Sequence, residues 1–433
     1  MKTLANTRAA RGPDHHPSDP DRDPDPDPYA AFRLADFRLL ISVWLLMSLT
    51  VRMQVVALGW DIYERTGSAL AVGYVGLALF VPTLLLFLPA GQIADRHDRR
   101  VLLVISCIIT MLAALGLAWA AMSQATLGWM YASIGVGAIA QAINKPARSA
   151  LLPSIVPASI LPNAVSWTTG AMQLASVAGP SLAGLLIAST GGAFTVYWTV
   201  VAINLIAVVL VLRIRHRERP GGQSGFALGD LFAGVVHMWS TPVILGAALL
   251  DLLVVLFSGA SGLLPVYAKD ILHVGPAGLG WLTAASAAGA IVMIFTLNHL
   301  PPSPRPGRRF LWAVAGFGAF TLLFGASTSF GLSLGALFIM GALNSISVVT
   351  RHTLVQSHTP VELRGRVSSV NGVFTGSSNE LGQFEAGAVA SLSSPVIAVV
   401  SGGLATLFLV AVIARRFPDL RNLNSLTQLT SRQ

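Results

Sequence analysis

The chain has 433 residues, of which 54% are hydrophobic and 11% are charged, and its mean hydropathy is +0.68. This composition excludes an ordinary soluble protein and is typical of a chain embedded in lipid. The net charge of +9 does not indicate a nucleic-acid partner, because the arginines lie at the ends of apolar runs, where they fix membrane topology. A single cysteine, Cys107, excludes a disulfide within the chain and a cysteine-based metal site.

Residues 1–36 are predicted to form a disordered cytoplasmic tail. Pro and Asp repeats dominate this segment, and it contains no apolar stretch of the kind that a signal peptide requires. His15 and His16 lie among these repeats without a second cluster of ligands, so they predict no metal site.

Apolar runs then recur along the chain, and since about twenty residues cross a bilayer, they predict twelve transmembrane helices. The runs lie at residues 37–60, 69–91, 101–121, 126–147, 163–189, 192–213, 241–268, 278–299, 310–328, 331–354, 368–391 and 395–414. A basic, Gly-rich linker at 214–240, with an amphipathic stretch expected to lie along the membrane surface, divides them. The predicted organisation is an N-terminal half at 37–213, this linker, a C-terminal half at 241–416 and a cytoplasmic tail at 417–433.

Lys and Arg are distributed unequally between the two sides of the predicted membrane. Only Arg65 and Lys269 lie opposite the side that the N-terminus shares with the other basic loops. Because cytoplasmic loops carry the excess of basic residues, both termini are predicted to be cytoplasmic, which requires an even number of spans. The pattern predicts a multi-pass protein of the cytoplasmic membrane.

A faint internal repeat indicates two related six-helix halves. The RxxRR spacing of Arg96, Arg99 and Arg100 after the second span recurs at Arg305, Arg308 and Arg309 after the eighth. At a similar offset, Arg148 at the end of the fourth span matches Arg351 at the end of the tenth. This arrangement places a substrate site between the halves near the membrane midplane.

The loop after the second span reads GQIADRHDRR, from Gly91 to Arg100, and fits the spacing G-x-x-x-D-R-x-x-R-R. Gly91 is expected to let helices approach closely and Asp95 to cap a helix, while Arg96, Arg99 and Arg100 hold carboxylates or helix C-terminal carbonyls. Such a cluster can act as a gate; alternatively, the arginines only anchor topology.

This loop resembles the signature of the major facilitator superfamily. The resemblance implies that Asp95 meets the cytoplasmic start of the eleventh helix, near residues 365–368. The second half keeps the arginines of the spacing but has Pro304 in place of the aspartate, which argues against a matching gate there.

Further stretches resemble the family's exporters. Gly179 and Pro180 in the fifth span are similar to the Gly-Pro motif of its proton-driven exporters, although close packing or a kink explains the same residues equally well. VALGWDIYERTGSALAVG, PARSALLP, GLLPVYAKDIL and QSHTPVELRGRVSSVNGVF resemble the enterobactin-exporter branch. The resemblance covers most of residues 37–414 and implies the fold, secondary active transport and export, without naming a substrate.

Four charged residues lie well inside predicted spans, away from the span ends, where such groups usually face a cavity and mark a transport pathway. They are Arg52 in the first span, with Gln54 close by, Asp251 in the seventh, and Glu380 and Glu385 in the eleventh. Because spans one and seven hold equivalent positions in the two halves, Arg52 and Asp251 are a candidate ion pair.

The eleventh span carries two carboxylates with different expected roles. Glu380 and Gln383 share one helix face, whereas Glu385 lies about 140° round from Glu380. A carboxylate withdrawn from water binds protons more readily, so Asp251 and Glu380 are the first candidates for a proton carrier. The alternative is that these acids only pair with Arg52 or with neighbouring helices.

The pattern as a whole predicts an all-α integral membrane protein with the major facilitator fold. Its expected function is secondary active transport, as a proton-coupled exporter of small lipophilic molecules such as drugs or siderophores. Import or facilitated diffusion of a small metabolite is the alternative. An enzyme is disfavoured because the chain has no catalytic cluster, and an ATP-driven pump because it has no G-x-x-x-x-G-K-[ST] loop. The expected partners are a small-molecule substrate, protons and membrane lipid, with no cofactor, metal or nucleic acid, and the chain is expected to be a monomer.

Overall fold

The structure, a computed structural model, describes residues 27–216, 228–301 and 304–423, which form helices and turns without a β-strand. Most of the two predicted tails, including His15 and His16, lies outside these residues. A helix at Leu228–Ser240, within the predicted linker, packs against the start of the eleventh long helix, where a Cβ on Gly234 would lie 3.0 Å from the backbone of Arg366. The division of the chain at 214–240 remains a prediction.

Twelve long helices follow each other in the described residues, and we label them α1 to α12. They are Ala35–Thr66, Ala69–Arg96, Arg99–Met122, Leu127–Ile155, Leu161–Thr190, Phe194–Arg213, Pro242–Ile271, Gly275–His299, Pro306–Ala326, Phe330–Ser357, Arg364–Leu392 and Pro395–Arg416. Ten of these described helices are long and apolar enough to cross a membrane. The other two, α4 and α11, have the length but are not among these ten apolar helices. The predicted all-α membrane fold is therefore confirmed.

The helices and their tight turns satisfy the backbone polar groups within the chain, as a hydrocarbon surrounding requires. The turn between α1 and α2 is closed by Gly67, which has a φ of 60°, and by Ser68, whose Oγ accepts a hydrogen bond from the amide of Ala71. The turn before α3 is closed by Asp98, whose carboxylate accepts one from the amide of Arg100 at 2.8 Å. These caps join consecutive helices with only a few residues.

Helix α7 is interrupted near its end. After Phe257 the backbone tightens into a 3₁₀ turn at Gly259–Leu263 and then widens into a π-helical turn at Tyr267–Ile271. Pro265 lies between the two turns, where it removes a helix hydrogen bond. A Cβ on Gly59 of α1 would lie 2.8 Å from Pro265, so the two helices approach closely only because Gly59 lacks one.

The two halves repeat the same packing. In the first half α1 packs on α5 and α6, and α3 packs on α4 and α6; in the second, α7 packs on α11 and α12, and α9 packs on α10 and α12. The halves meet through α2 against α11 and α5 against α8. These pairings confirm the predicted pseudo-symmetry of two six-helix halves.

The halves close against each other at one end of the bundle. We call the end where α2 finishes and α3 begins the arginine-rich face, after Arg96, Arg99 and Arg100, and the other end the opposite face. Near the opposite face, a Cβ on Gly387 of α11 would lie 2.7 Å from the carbonyl oxygen of Ala69, and one on Gly184 of α5 would lie 2.5 Å from that of Pro276. These backbone contacts form a seal that would have no room for larger residues.

The helices separate towards the arginine-rich face. A Cβ added to Gly91 of α2 would meet no atom within 4 Å, and the same holds for Gly365, Gly372 and Gly376 of α11. Leu85 of α2 is 69% exposed at this level. The described residues therefore adopt a state that is closed at the opposite face and open at the arginine-rich face, and Gly91 makes no close helix contact in it.

Replacing a sealing glycine should separate the halves at the opposite face. We expect Gly387→Val to increase the distance between spin labels on Met122→Cys and Leu392→Cys, because the added side chain would overlap the backbone of α2. The native Cys107 is buried and should remain unlabelled. Gly335→Val is the matched control, because a Cβ at Gly335 meets nothing within 4 Å. Unchanged distances in the Gly387 variant would contradict the seal.

Candidate functional site

A cavity of about 120 Å³ lies between the halves, bounded by α1, α2, α3, α4, α7 and α11. Its wall is mainly apolar, with residues such as Val55, Leu58 and Ile134. Three amide side chains interrupt this wall, one from each of three helices: Gln54, Gln141 and Gln383. Two of the predicted pathway residues, Gln54 and Gln383, thus lie at one cavity, joined by Gln141 of α4. An apolar wall with a few polar groups is typical of a small-molecule site.

Asp251 forms an ion pair with Arg351 rather than with Arg52. Its Oδ2 lies 3.2 Å from Nη2 of Arg351 and accepts a hydrogen bond from Thr375 Oγ1 at 3.1 Å. Arg351 is only 2% exposed, and its Nη1 donates to Asn371 at 2.9 Å and to Thr375 at 3.3 Å. The pair joins α7, α10 and α11 within the second half. The expected Arg52–Asp251 pair was wrong, because a closer arginine in the same half already neutralises the carboxylate.

Arg52 stands apart from the acids. It is exposed, and no carboxylate of the described residues forms an ion pair with it. Its Cβ would lie 2.6 Å from a Cβ on Gly179 of α5, so the glycine at this position lets α5 lie directly on α1. Pro180 follows inside α5 and is buried. Both residues of the Gly-Pro motif therefore take part in close helix packing here.

The two carboxylates of α11 have different surroundings. Glu380 is half-buried, and its Oε2 is fully buried without a hydrogen-bond partner. Lys145 of α4, in the other half, is near enough to interact electrostatically with Glu380, but the two form no ion pair. Glu385 is also half-buried and forms no hydrogen bond or ion pair with any described residue. The carbonyl of Glu380 faces Gly76 of α2, which places Glu380 at the contact between the halves.

Arg148 lies in the first half among neutral partners. Its guanidinium stacks over the ring of Trp44 with 4.6 Å to the ring centre, which is a cation–π contact. Its Nη1 donates to Ser48 Oγ at a long 3.4 Å, and its Nη2 lies 3.9 Å from the sulfur of Met172. The residue is half-buried, and no acid of the described residues pairs with it.

The predicted gating motif holds helix ends together within the first half. Arg99 donates to the carbonyl of Ala150 near the end of α4 at 3.1 Å. Arg100 donates to Val211 at 3.0 Å and also to Leu212, both in the last turn of α6. Such contacts favour cations at helix C-termini. Arg96 is exposed at the end of α2, and the side chain of Asp95 lies outside the described part of the structure.

Comparison with known proteins agrees with this architecture. A sequence model described as the Major Facilitator Superfamily matches residues 40–383 of the chain. The chain belongs to the major facilitator superfamily. It is therefore a multi-pass membrane transporter of small molecules and not an enzyme, as the sequence predicted.

Two curated relatives illustrate the similarity in sequence. Enterobactin exporter EntS of Escherichia coli O1:K1 / APEC is 28% identical over 411 residues, which covers 91% of this chain and 93% of the relative. The protein of the same name from Escherichia coli strain K12 is 27% identical over 412 residues, with the same coverage.

Solved structures show the same fold at much lower identity. The nucleoside transporter NupG has a TM-score of 0.66 and 14% identity, with 89% of this chain and 99% of that chain covered. A D-xylose-proton symporter has a TM-score of 0.68 and 12% identity, with 90% and 99% covered. At this identity the likeness shows the fold alone.

Several residues of these clusters were not predicted from the sequence. Thr375 and Asn371, which complete the shell of Arg351, and Trp44 and Ser48, which contact Arg148, carry no charge that would mark them in a span. The repeat itself contains the missing signal: 203 residues separate Arg148 from Arg351 and also Ser48 from Asp251. Once the contact between Ser48 and Arg148 is known, this offset relates it to the contact between Asp251 and Arg351.

Removing one partner of the buried pair should destabilise the second half strongly. We expect Asp251→Ala to lower the stability by about 3 to 5 kcal/mol, because Arg351 would then be a buried charge without a counter-ion. The melting temperature can be followed with a thiol-reactive fluorophore, since the buried Cys107 becomes accessible on unfolding. The control Ser48→Ala, at the equivalent position of the first half, should have a small effect. Equal losses in the two variants would contradict a stabilising role specific to the pair.

Proposed function

We propose that this transporter exports small, largely apolar molecules from the cytoplasm in exchange for protons, by alternating access of the central cavity. The single observation that carries the proposal is Glu380, which places a buried, unpartnered carboxylate oxygen at the contact between the halves and beside the cavity residue Gln383. The printed name of the relatives, enterobactin exporter, supports the direction of transport.

The orientation follows from the charge distribution. The arginine-rich face carries most of the basic loop residues, so we place it, with both termini, in the cytoplasm, and the protein in the cytoplasmic membrane. In this orientation the state described above opens to the cytoplasm, which is the loading state of an exporter. The apolar wall of the cavity suits a lipophilic molecule such as a drug or a siderophore, and a monomer contains the whole cavity.

The proton is assigned to Glu380 rather than to Asp251. Asp251 already has a counter-ion and a hydrogen-bond donor, which stabilise its charge. The buried oxygen of Glu380 has no hydrogen-bond donor and no ion pair among the described residues, and burying a weakly compensated charge costs free energy that a bound proton removes. Opening the opposite face separates α11 from α2, so Glu380 would exchange its proton as the halves move.

The gate is assigned to the arginine-rich face. Arg99 and Arg100 tie α3 to the ends of α4 and α6, so the first half moves as one body. In the alternate state, Gly91, Asp95 and Arg96 would approach the start of α11 near residues 365–368, where space is now open. Gly179 and Pro180 on α5, and Arg351 with its partners in the second half, would keep each half rigid during this motion.

Neutralising Glu380 should uncouple transport from the proton gradient. We expect Glu380→Gln to abolish efflux that a protonophore inhibits, while substrate binding to the purified protein persists. Efflux of lipophilic dyes, antibiotics and siderophores from cells, with and without the protonophore, is the measurement. Glu385→Gln is the matched control, because Glu385 lies on another face of the same helix.

The outcomes separate the possible roles. Gradient-dependent efflux that survives in Glu380→Gln but is lost in Glu385→Gln would move the proton to Glu385. Efflux that ignores the gradient in the wild type would contradict proton exchange, and accumulation of a compound inside cells would indicate import.

A further inference from the structure

The two halves neutralise equivalent arginines differently. A constant offset of 203 residues relates Ser48, Arg148 and Met172 of the first half to Asp251, Arg351 and Thr375 of the second. Each arginine contacts the two other members of its own set. The geometry is thus shared, but the acid is present only in the second half, where Ser48 is replaced by Asp251.

Away from the helix ends, the same offset shows two further cations of α1 and α4 that have no basic counterpart in the second half. Arg52 of α1 corresponds to Val255 of α7, and Lys145 of α4 corresponds to Val348 of α10. Both first-half residues are exposed, and neither forms an ion pair with a described carboxylate. Away from the helix ends, α1 and α4 therefore carry three cations, Arg52, Lys145 and Arg148, at positions where the second half is apolar or internally neutralised.

These cations lie along the path to the cavity. On α4, Lys145 and Arg148 follow the cavity residue Gln141 at spacings of four and seven, which places all three on one helix face. On α1, Ser48 and Arg52 precede the cavity residue Val55 by seven and three residues, so they lie on its helix face and on the arginine-rich side of it. Arg148 lies seven residues before the end of α4, about 10 Å inside the arginine-rich face.

The guanidinium of Arg148 retains donors for a ligand. An arginine has five N–H donors, and among the described residues only a long bond to Ser48 Oγ and a weak contact with a thioether use them. The Trp44 ring fixes the plane of the group from one side. A planar, oriented guanidinium that no described carboxylate neutralises is suited to bind a carboxylate, sulfonate or phosphate oxygen pair.

We propose that Arg148, supported by Arg52 and Lys145, binds an anionic group on the transported molecule as it enters from the arginine-rich face. The substrate class is then a molecule with an apolar body and an acidic group. That the bound molecule is also transported rests on the proposed function. The binding site itself does not depend on the direction of transport or on the coupling ion.

Binding of a matched pair of probes tests the inference. The probes are 1-anilinonaphthalene-8-sulfonate and its uncharged parent N-phenyl-1-naphthylamine, with the purified protein in phosphatidylcholine nanodiscs. We expect the wild type to bind the sulfonate more tightly. Arg148→Gln should weaken sulfonate binding roughly tenfold to hundredfold and leave the parent unchanged, since one charge-assisted hydrogen bond is lost.

Two substitutions at Ser48 distinguish binding from a structural role of Arg148. Ser48→Asp recreates the acid of the second half, so it should neutralise Arg148 in place and weaken sulfonate binding as Arg148→Gln does. Ser48→Ala, the control, removes only the neutral partner and should leave both probes bound. A purely structural arginine would tolerate the new acid without a change in selectivity.

Several results would overturn the proposal. Equal binding of the two probes by the wild type, binding of neither, or equal weakening of both in Arg148→Gln would each do so. If phosphatidylglycerol nanodiscs suppress sulfonate binding to the wild type but not to Arg148→Gln, the site would be assigned to a lipid headgroup instead. Failure of the proposed exchange would appear separately, as efflux from cells that a protonophore does not affect, and would leave the probe selectivity intact.

Discussion

The close approach of backbones at the opposite face determines which way the transporter is open. Gly184 meets the backbone of α8 and Gly387 meets that of α2, and these two contacts are related by the pseudo-symmetry, since 203 residues separate the two glycines. Helix association in lipid has no hydrophobic driving force between apolar surfaces, so it depends on packing at such small residues. Because the two contacts join the same pair of rigid halves, rocking one half breaks both together, and the opening at the arginine-rich face follows from their presence.

The two halves share the same packing but differ in how they neutralise their equivalent arginines. The second half satisfies its arginine internally, through Asp251, Thr375 and Asn371. The first half leaves Arg148 against a ring and a hydroxyl. A charge that is partly withdrawn from water and that no described acid neutralises is costly. The half-buried position of Arg148 near the open end is therefore more consistent with a ligand contact than with stabilisation.

The sequence was sufficient for the fold because its signals are periodic. Twelve apolar runs and a repeated RxxRR spacing specified the helices and the two related halves. Charge alone did not predict the partner of Asp251. Two helices that are equivalent by symmetry, such as α1 and α7, need not face each other in an open state. Arg52 lies on α1, in the other half, whereas Arg351 lies beside Asp251 within its own half.

The glycines that form close helix contacts were also hard to predict from the sequence. The chain contains 41 glycines, and neither composition nor spacing indicates which of them meet a backbone. Gly91 belongs to a conspicuous motif but faces open space, while Gly387 belongs to none of the quoted motifs and lies in the seal. Which glycines are in contact depends on the conformation, and a single sequence encodes both conformations.

Helix α11 brings these separate features onto one element. The N-terminal part of this helix holds Thr375 and Asn371 against the buried Arg351. Its C-terminal part places Gln383 at the cavity and Gly387 in the seal. Glu380 lies between them, with its carbonyl against α2 and one carboxylate oxygen buried without a partner. Because α11 is one continuous helix, a tilt that breaks the seal also changes the surroundings of this carboxylate. The contact that closes the opposite face and the group proposed to carry the proton are thus parts of one moving helix, which is the physical link that exchange requires.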